Sequence, residues 1–191
     1  MLRKTIICII KLFVKLVYRV KITGADNLNI DGGYVFTANH RSIWDVIVLF
    51  AAIDKELNFM AKAELFENKI FAYVLKKFGA FPVKRNANDI GAVKQAFQIL
   101  NSGQILGIFP QGTRSAELKV DEAKAGAVLL ASRCQKPVVP VAITGEYKFG
   151  HKLNIVIGEP VYFESKKLSQ DELNNNTVVV MNKIKELAES V

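Results

Sequence analysis

The stretch "GYVFTANHRSIWDVIVLFAAI", residues 33 to 53, decides how this chain folds. It opens on a short apolar run, "YVFTA", which reads as a buried strand. A polar loop, "NHRS", follows, and "WDVIVLFAAI" then reads as a helix. Strand, short loop and helix make the repeating unit of a layered α/β domain. The loop carries His40, one of only two histidines in the chain, and Asp45 follows five positions later.

Outward from this unit the alternation continues. "LNFMA" reads as a strand, "NKIFAYVLKKF" as a helix, and "GAFPVKR" as a strand running into a basic loop. "DIGAVKQAFQILNSG" is a periodic helix that Asn88 or Asp89 starts and Gly103 stops. "QILGIF" and "PVVPVAITG" read as strands on either side of a helix, "DEAKAGAVLLASRC". "LNIVIGEPVYF" reads as another strand, and "SQDELNNNTVVVMNKIKELAES" closes the chain as a helix. The expected fold is α/β: a single layered domain with a largely parallel central sheet flanked by helices. Ligands of such sheets collect at the carboxyl ends of the strands. The loops after "YVFTA", "GAFPV" and "QILGIF" are therefore expected to converge there.

A length of 191 residues suits one domain with a sizeable core. The formal charge of +8 is unevenly spread: residues 1 to 25 hold Arg3, Lys4, Lys11, Lys15, Arg19 and Lys21 and no acid. On a helix these cations fall within an arc of about 160°, and most of the opposite side is aliphatic. This is an N-terminal basic amphipathic helix, expected over residues 1 to 22. Lys11 and Lys15 interrupt it too often for a transmembrane span, and no small-residue cleavage site marks a signal peptide. The composition points to a helix lying in a membrane interface against anionic lipid. A helix packed on the domain's own core with a solvated basic face is the other reading. Nucleic acid is not an expected partner, because the positives sit on this helix and not on a sheet with interleaved aromatics. Cys8 and Cys134 match neither a metal spacing nor a disulfide framework, so no metal is expected.

His40 and Asp45 would point about 140° apart on one continuous helix. They meet only if the helix starts after His40. Ser42 as N-cap and Asp45 as the acidic third residue of a capping box would arrange this. The Asp45 carboxylate could then reach the His40 Nδ1–H and leave Nε2 as a base. The plainer reading, a helix cap beside a polar loop histidine, fits the spacing equally well.

Two further stretches bear on that choice. "FPQGTRS", residues 109 to 115, follows a strand. Gly112 permits a tight turn, Thr113 offers a hydroxyl, and Arg114 offers a fork for phosphate or carboxylate. "GAFPVKRN" ends on Lys84 and Arg85, adjacent cations that suit either a phosphate site or a solvated turn.

Together these stretches resemble the glycerolipid acyltransferases, the 1-acylglycerol-3-phosphate acyltransferase family. "NHRSIWD" is similar to that family's Asn-His-x-x-x-x-Asp motif, and "GAFPVKR" to its second motif, which ends in arginine. "FPQGTRS" is similar to its third, usually Phe-Pro-Glu-Gly-Thr-Arg-Ser, and "VVPVAITG" to its fourth. The resemblance covers residues 20 to 165 or so. It implies that His40 is the catalytic base, oriented by Asp45, and that the acceptor hydroxyl is the nucleophile. It implies that Lys84, Arg85, Gln111, Gly112, Thr113 and Arg114 bind the substrate. The acceptor would be a lysophospholipid, the donor an acyl-carrier-protein or coenzyme A thioester, and the product phosphatidic acid. No cofactor is needed. Residues 23 to 191 would form the acyltransferase domain, held at the cytoplasmic face of a membrane by residues 1 to 22. Gln111 departs from the family's glutamate, keeping the carbonyl acceptor and losing the charge. Transfer to glycerol 3-phosphate or another lysolipid, or a non-catalytic lipid-binding role, are the alternatives.

Overall fold

The apolar runs assemble into a seven-stranded sheet in the computed structural model, which describes residues 2–53, 55–84, 89–115 and 117–191. The elements run α1 (Leu2–Val17), β1 (Arg19–Thr23), β2 (Tyr34–Ala38), α2 (Trp44–Ala52), β3 (Leu57–Lys62) and α3 (Lys69–Lys77). They continue with β4 (Ala80–Val83), α4 (Ile90–Asn101), β5 (Ile105–Ile108), α5 (Gly126–Cys134), β6 (Val138–Gly145), β7 (Lys152–Ile157) and α6 (Gln170–Glu189). The strand order is β1-β7-β6-β2-β5-β3-β4. The five strands from β6 to β4 are parallel, while β7 runs antiparallel to β6 and carries β1 parallel to itself. The expected layered, largely parallel architecture is the one observed.

One face of the sheet is covered by α1 and α2, with Val14, Val48, Leu49 and Phe50 against Phe36, Val139 and Ile155. The other is covered by α4, α5 and α6, with Leu100, Leu130, Met181 and Ile184 against Val35, Leu106 and Val138. Each fully buried aliphatic or aromatic side chain adds about 1.5–3 kcal/mol. Apart from Asp45, α2 is nearly all apolar because it lies between the sheet and α1, which packs across it.

Several boundaries differ from the sequence reading. The N-terminal helix stops at Val17, five residues short of the expected end, and Arg19–Thr23 forms an edge strand on β7. Its alternation of cations with Val20 and Ile22 has the period of a strand, which the charge arc concealed. The helix expected from Asp121 begins at Gly126, because the Lys124 N–H is tied to the Pro110 carbonyl at 2.9 Å. The last strand ends at Ile157, and Val161 only bridges to Val138. For α4, Asp89 is the cap, its carboxylate accepting from the Ala92 N–H, and the alternative, Asn88, lies outside the described residues.

Candidate active site

The site grows from the carboxyl end of β2. Asn39, the first residue beyond the strand, is buried and closes a ring with β6: its amide donates to the Ile143 carbonyl at 2.9 Å and accepts from the Ile143 N–H at 2.7 Å. This fixes where the chain leaves the sheet and where His40 starts. α2 begins at Trp44 with Ile43 as its cap, so the expected capping box with Ser42 at the N-cap is not formed. Only its acidic half survives, because the Ser42 hydroxyl accepts from the Trp44 N–H at 3.3 Å and the Asp45 N–H donates to the Ser42 carbonyl at 3.2 Å. The Asp45 carboxylate accepts from the Ser42 N–H and the Arg41 N–H, both at 2.7 Å.

His40 Nδ1 lies 2.8 Å from the same Asp45 oxygen. The other oxygen accepts from the Tyr147 hydroxyl. Asp45 is fully buried. Burial by itself pushes its carboxyl up, but the bonds from His40, Ser42, Tyr147 and Arg41 together outweigh it and hold the group below the usual carboxylate range. An ionised carboxylate only accepts, so in the neutral imidazole Nδ1 carries the proton and Nε2 keeps its lone pair. Tyr147 stays protonated: burial and then the bond to Asp45 push its hydroxyl well up. The Tyr18 ring meets Tyr147 edge-on at 5.8 Å, which seats it beneath the end of α1.

The turn after β5 closes over the imidazole. Phe109 stacks on His40 at 4.1 Å, and Phe59 stacks on Phe109 at 5.7 Å. Gly107 makes room for this pile: a Cβ there would sit 2.2 Å from the Phe59 ring. The Ser115 N–H donates to the His40 carbonyl at 2.9 Å, so residues 109 to 115 are tied directly to the histidine. Gly112 takes φ +67°, a conformation other residues resist, and its N–H returns to the Phe109 carbonyl at 3.0 Å. Thr113 and Arg114 are exposed on this turn. Gln111 is buried and donates its amide to the Glu117 carbonyl at 3.0 Å, bracing the turn from within.

His40, Asp45 and the 111–114 turn are thus brought together. Lys84 is not beside them. It follows β4, three strands from β2 and roughly 14 Å along the sheet. Its side chain is exposed and its N–H is bound to Asp89 at 3.0 Å. Arg85 lies outside the described residues. Two residues escaped the sequence reading. Tyr147 is 102 positions from Asp45 and belongs to no local pattern. Lys124 passes alongside Gly112, with Nζ 3.6 Å from where a Cβ would stand, and brings a cation to the turn. A lysine two residues before the Gly126 that opens α5 was its only signal.

The geometry agrees with what the chain resembles. A family model described as Acyltransferase matches residues 19–144. The 1-acyl-sn-glycerol-3-phosphate acyltransferase of Bacillus subtilis is 37% identical over 177 residues, covering 88% of this chain and 87% of that protein. The enzyme of the same name from Streptococcus pneumoniae is 33% identical over 151 residues, 75% of this chain and 56% of its own length. The crystal structure of the 1-acyl-sn-glycerophosphate acyltransferase PlsC from Thermotoga maritima superposes with a TM-score of 0.72 at 27% identity, covering 97% of this chain and 80% of that one.

Proposed function

The chain belongs to the acyltransferase family, and from that premise we propose that it moves a fatty acyl group from a thioester to the free hydroxyl of 1-acylglycerol 3-phosphate, giving phosphatidic acid. The observation that carries this reading is the 2.8 Å contact between His40 Nδ1 and an Asp45 carboxylate held ionised, tied by Ser115 to the Gly-Thr-Arg turn.

The chemistry follows from the tautomer. His40 Nε2 takes the proton of the acceptor hydroxyl while its oxygen attacks the thioester carbonyl carbon. The buried Asp45 stabilises the imidazolium that forms. Backbone N–H groups of the surrounding loops receive the oxyanion of the tetrahedral intermediate. When it collapses, the carbon–sulfur bond breaks and the imidazolium proton passes to the leaving thiolate. The new ester and a free thiol remain, and no protein nucleophile is consumed. Arg114 and Lys124 hold the acceptor phosphate beside the Gly112 turn, with Thr113 as a hydroxyl donor. Gln111 supports the turn through Glu117, which is consistent with a working site despite the missing glutamate charge. The α1 helix brings this mouth to the surface of an anionic membrane, and the sheet from β1 onward forms the acyltransferase unit.

The test is a purified-protein assay that pairs lysophosphatidic acid, glycerol 3-phosphate and other lysolipids with coenzyme A and acyl-carrier-protein thioesters, read by mass spectrometry. Phosphatidic acid from lysophosphatidic acid is the expected product. Exclusive use of another acceptor would replace the proposed substrate, and no transfer to any acceptor would end the catalytic reading.

A further inference from the structure

Helix α3 is out of keeping with the rest of the fold. A helix that crosses between parallel strands ordinarily buries one face on the sheet. None of the residues of α3 is buried. Its anchor is Phe78 at the C-terminal cap, which meets Phe50 of α2 at 5.5 Å. Ile70, Phe71, Tyr73 and Val74 are left exposed, Ile70 to 77%. The helix carries Lys69, Lys76 and Lys77 and no acid. At about 100° per residue, Lys77, Ile70 and Val74 fall within roughly 60° of one another, so apolar and cationic groups share one outward side.

Its place in the fold matters as much as its composition. Both Val14 of α1 and Phe78 belong to the core on the α2 side of the sheet, so α1 and α3 flank the same layer. The strand before α3 runs parallel to β5, so the first turn of α3 stands at the carboxyl end of the sheet, where His40 lies. β1 runs the opposite way, so α1 delivers its last turns to that same end. There α1 leaves Leu12, Phe13 and Leu16 exposed, with Phe13 stacked on Trp44 at 6.0 Å beside the site.

We propose that α3 is a second membrane-docking element, which together with α1 seats the mouth of the site on an anionic bilayer. The occupant follows from the chemistry of the face. Exposed apolar side chains flanked by lysines match hydrocarbon beneath anionic head groups. The inference shares with the proposed function only the membrane contact of α1. It holds or fails independently of which acceptor is acylated.

The test is co-sedimentation with vesicles of phosphatidylcholine and phosphatidylglycerol. Two double variants are compared with the wild-type chain: Ile70→Ser with Phe71→Ser in α3, and Leu12→Ser with Leu16→Ser in α1. All four side chains are exposed, so thermal midpoints should not change, which keeps folding apart from docking. Each pair is expected to lower the bound fraction constant about tenfold or more. The triple variant Lys69→Gln, Lys76→Gln, Lys77→Gln should weaken binding to these vesicles and leave binding to pure phosphatidylcholine unchanged. If the α3 pair binds as tightly as wild type, the inference is overturned, whether or not the α1 pair is impaired. It is also overturned if sedimentation velocity shows a wild-type dimer that the α3 pair abolishes, since the face would then belong to a second copy of the chain.

Discussion

Asp45 has its carboxylate surrounded by donors from four residues, and the effect of each can be read out by pH. The folded pKa is depressed, so the group contributes stability that is present above the ordinary carboxyl value near 3.9 and is lost as pH falls through the folded value. Tyr147→Phe removes one donor and leaves the ring. It should cost about 1.5–3 kcal/mol at neutral pH, and that gap should close in acid once Asp45 is protonated in both proteins. Urea titrations at a series of pH values decide this: a gap independent of pH would make Tyr147 a packing residue only. Gln111 makes a second residue-scale case. Its amide donates to the Glu117 carbonyl from a buried position. Gln111→Glu removes that donor and turns a carboxylate on a carbonyl. A loss of about 1–3 kcal/mol and a raised KM for the acceptor are expected, and an unchanged thermal midpoint would show that the bond does not brace the turn.

Among the elements, β2 carries the least compromise for function, with one exception. All five of its residues are buried, and the Tyr34 hydroxyl has no hydrogen-bond partner among the described residues. Burial pushes that hydroxyl up to about 12. Tyr34→Phe should therefore stabilise the protein by about 1 kcal/mol, seen as a higher thermal midpoint, whereas a fall would mean the hydroxyl is satisfied in solution. This element was legible in the sequence because an apolar run between turn residues has few other solutions, and the same held for α2, α4 and β6. The His40 and Asp45 pairing was left open by the spacing, which a plain helix cap beside a loop histidine fits as well, and only the resemblance of the neighbouring stretches pointed to it. The start of α2 at Trp44 was read correctly and only its cap was misplaced, because the Ser42 hydroxyl turns to the Trp44 N–H instead of the Asp45 N–H. β1 was hidden because its cations extended the charge arc of α1. Tyr147 and Lys124 were invisible for a different reason. They join the site only when β6, β5 and α5 come together, and no local period records such a meeting.

At the scale of the whole molecule, α1 and α3 each set exposed apolar side chains beside lysines. The sequence left two readings of the N-terminal helix, membrane contact or core packing, and α1 has faces for both. Ile6, Ile7, Ile10, Val14 and Val17 pack on the core, while Ile9, Leu12, Phe13 and Leu16 are exposed. Among the described residues no helix is long and apolar enough to cross a membrane. The proposed attachment combines hydrocarbon contact with charge. Binding to anionic vesicles should weaken steadily between low salt and about 1 M, where the screening length shrinks to about 3 Å, and binding to neutral vesicles should hardly change. Equal salt sensitivity on both would remove the electrostatic part of the attachment. The proposed activity depends on one centre, the buried Asp45 carboxylate against the His40 imidazole. Its most direct test is the steady-state rate of His40→Ala with lysophosphatidic acid and an acyl thioester, alongside its thermal midpoint. A loss of about a hundredfold or more in kcat with the fold retained is expected. A well-folded His40→Ala protein turning over at the wild-type rate would contradict it.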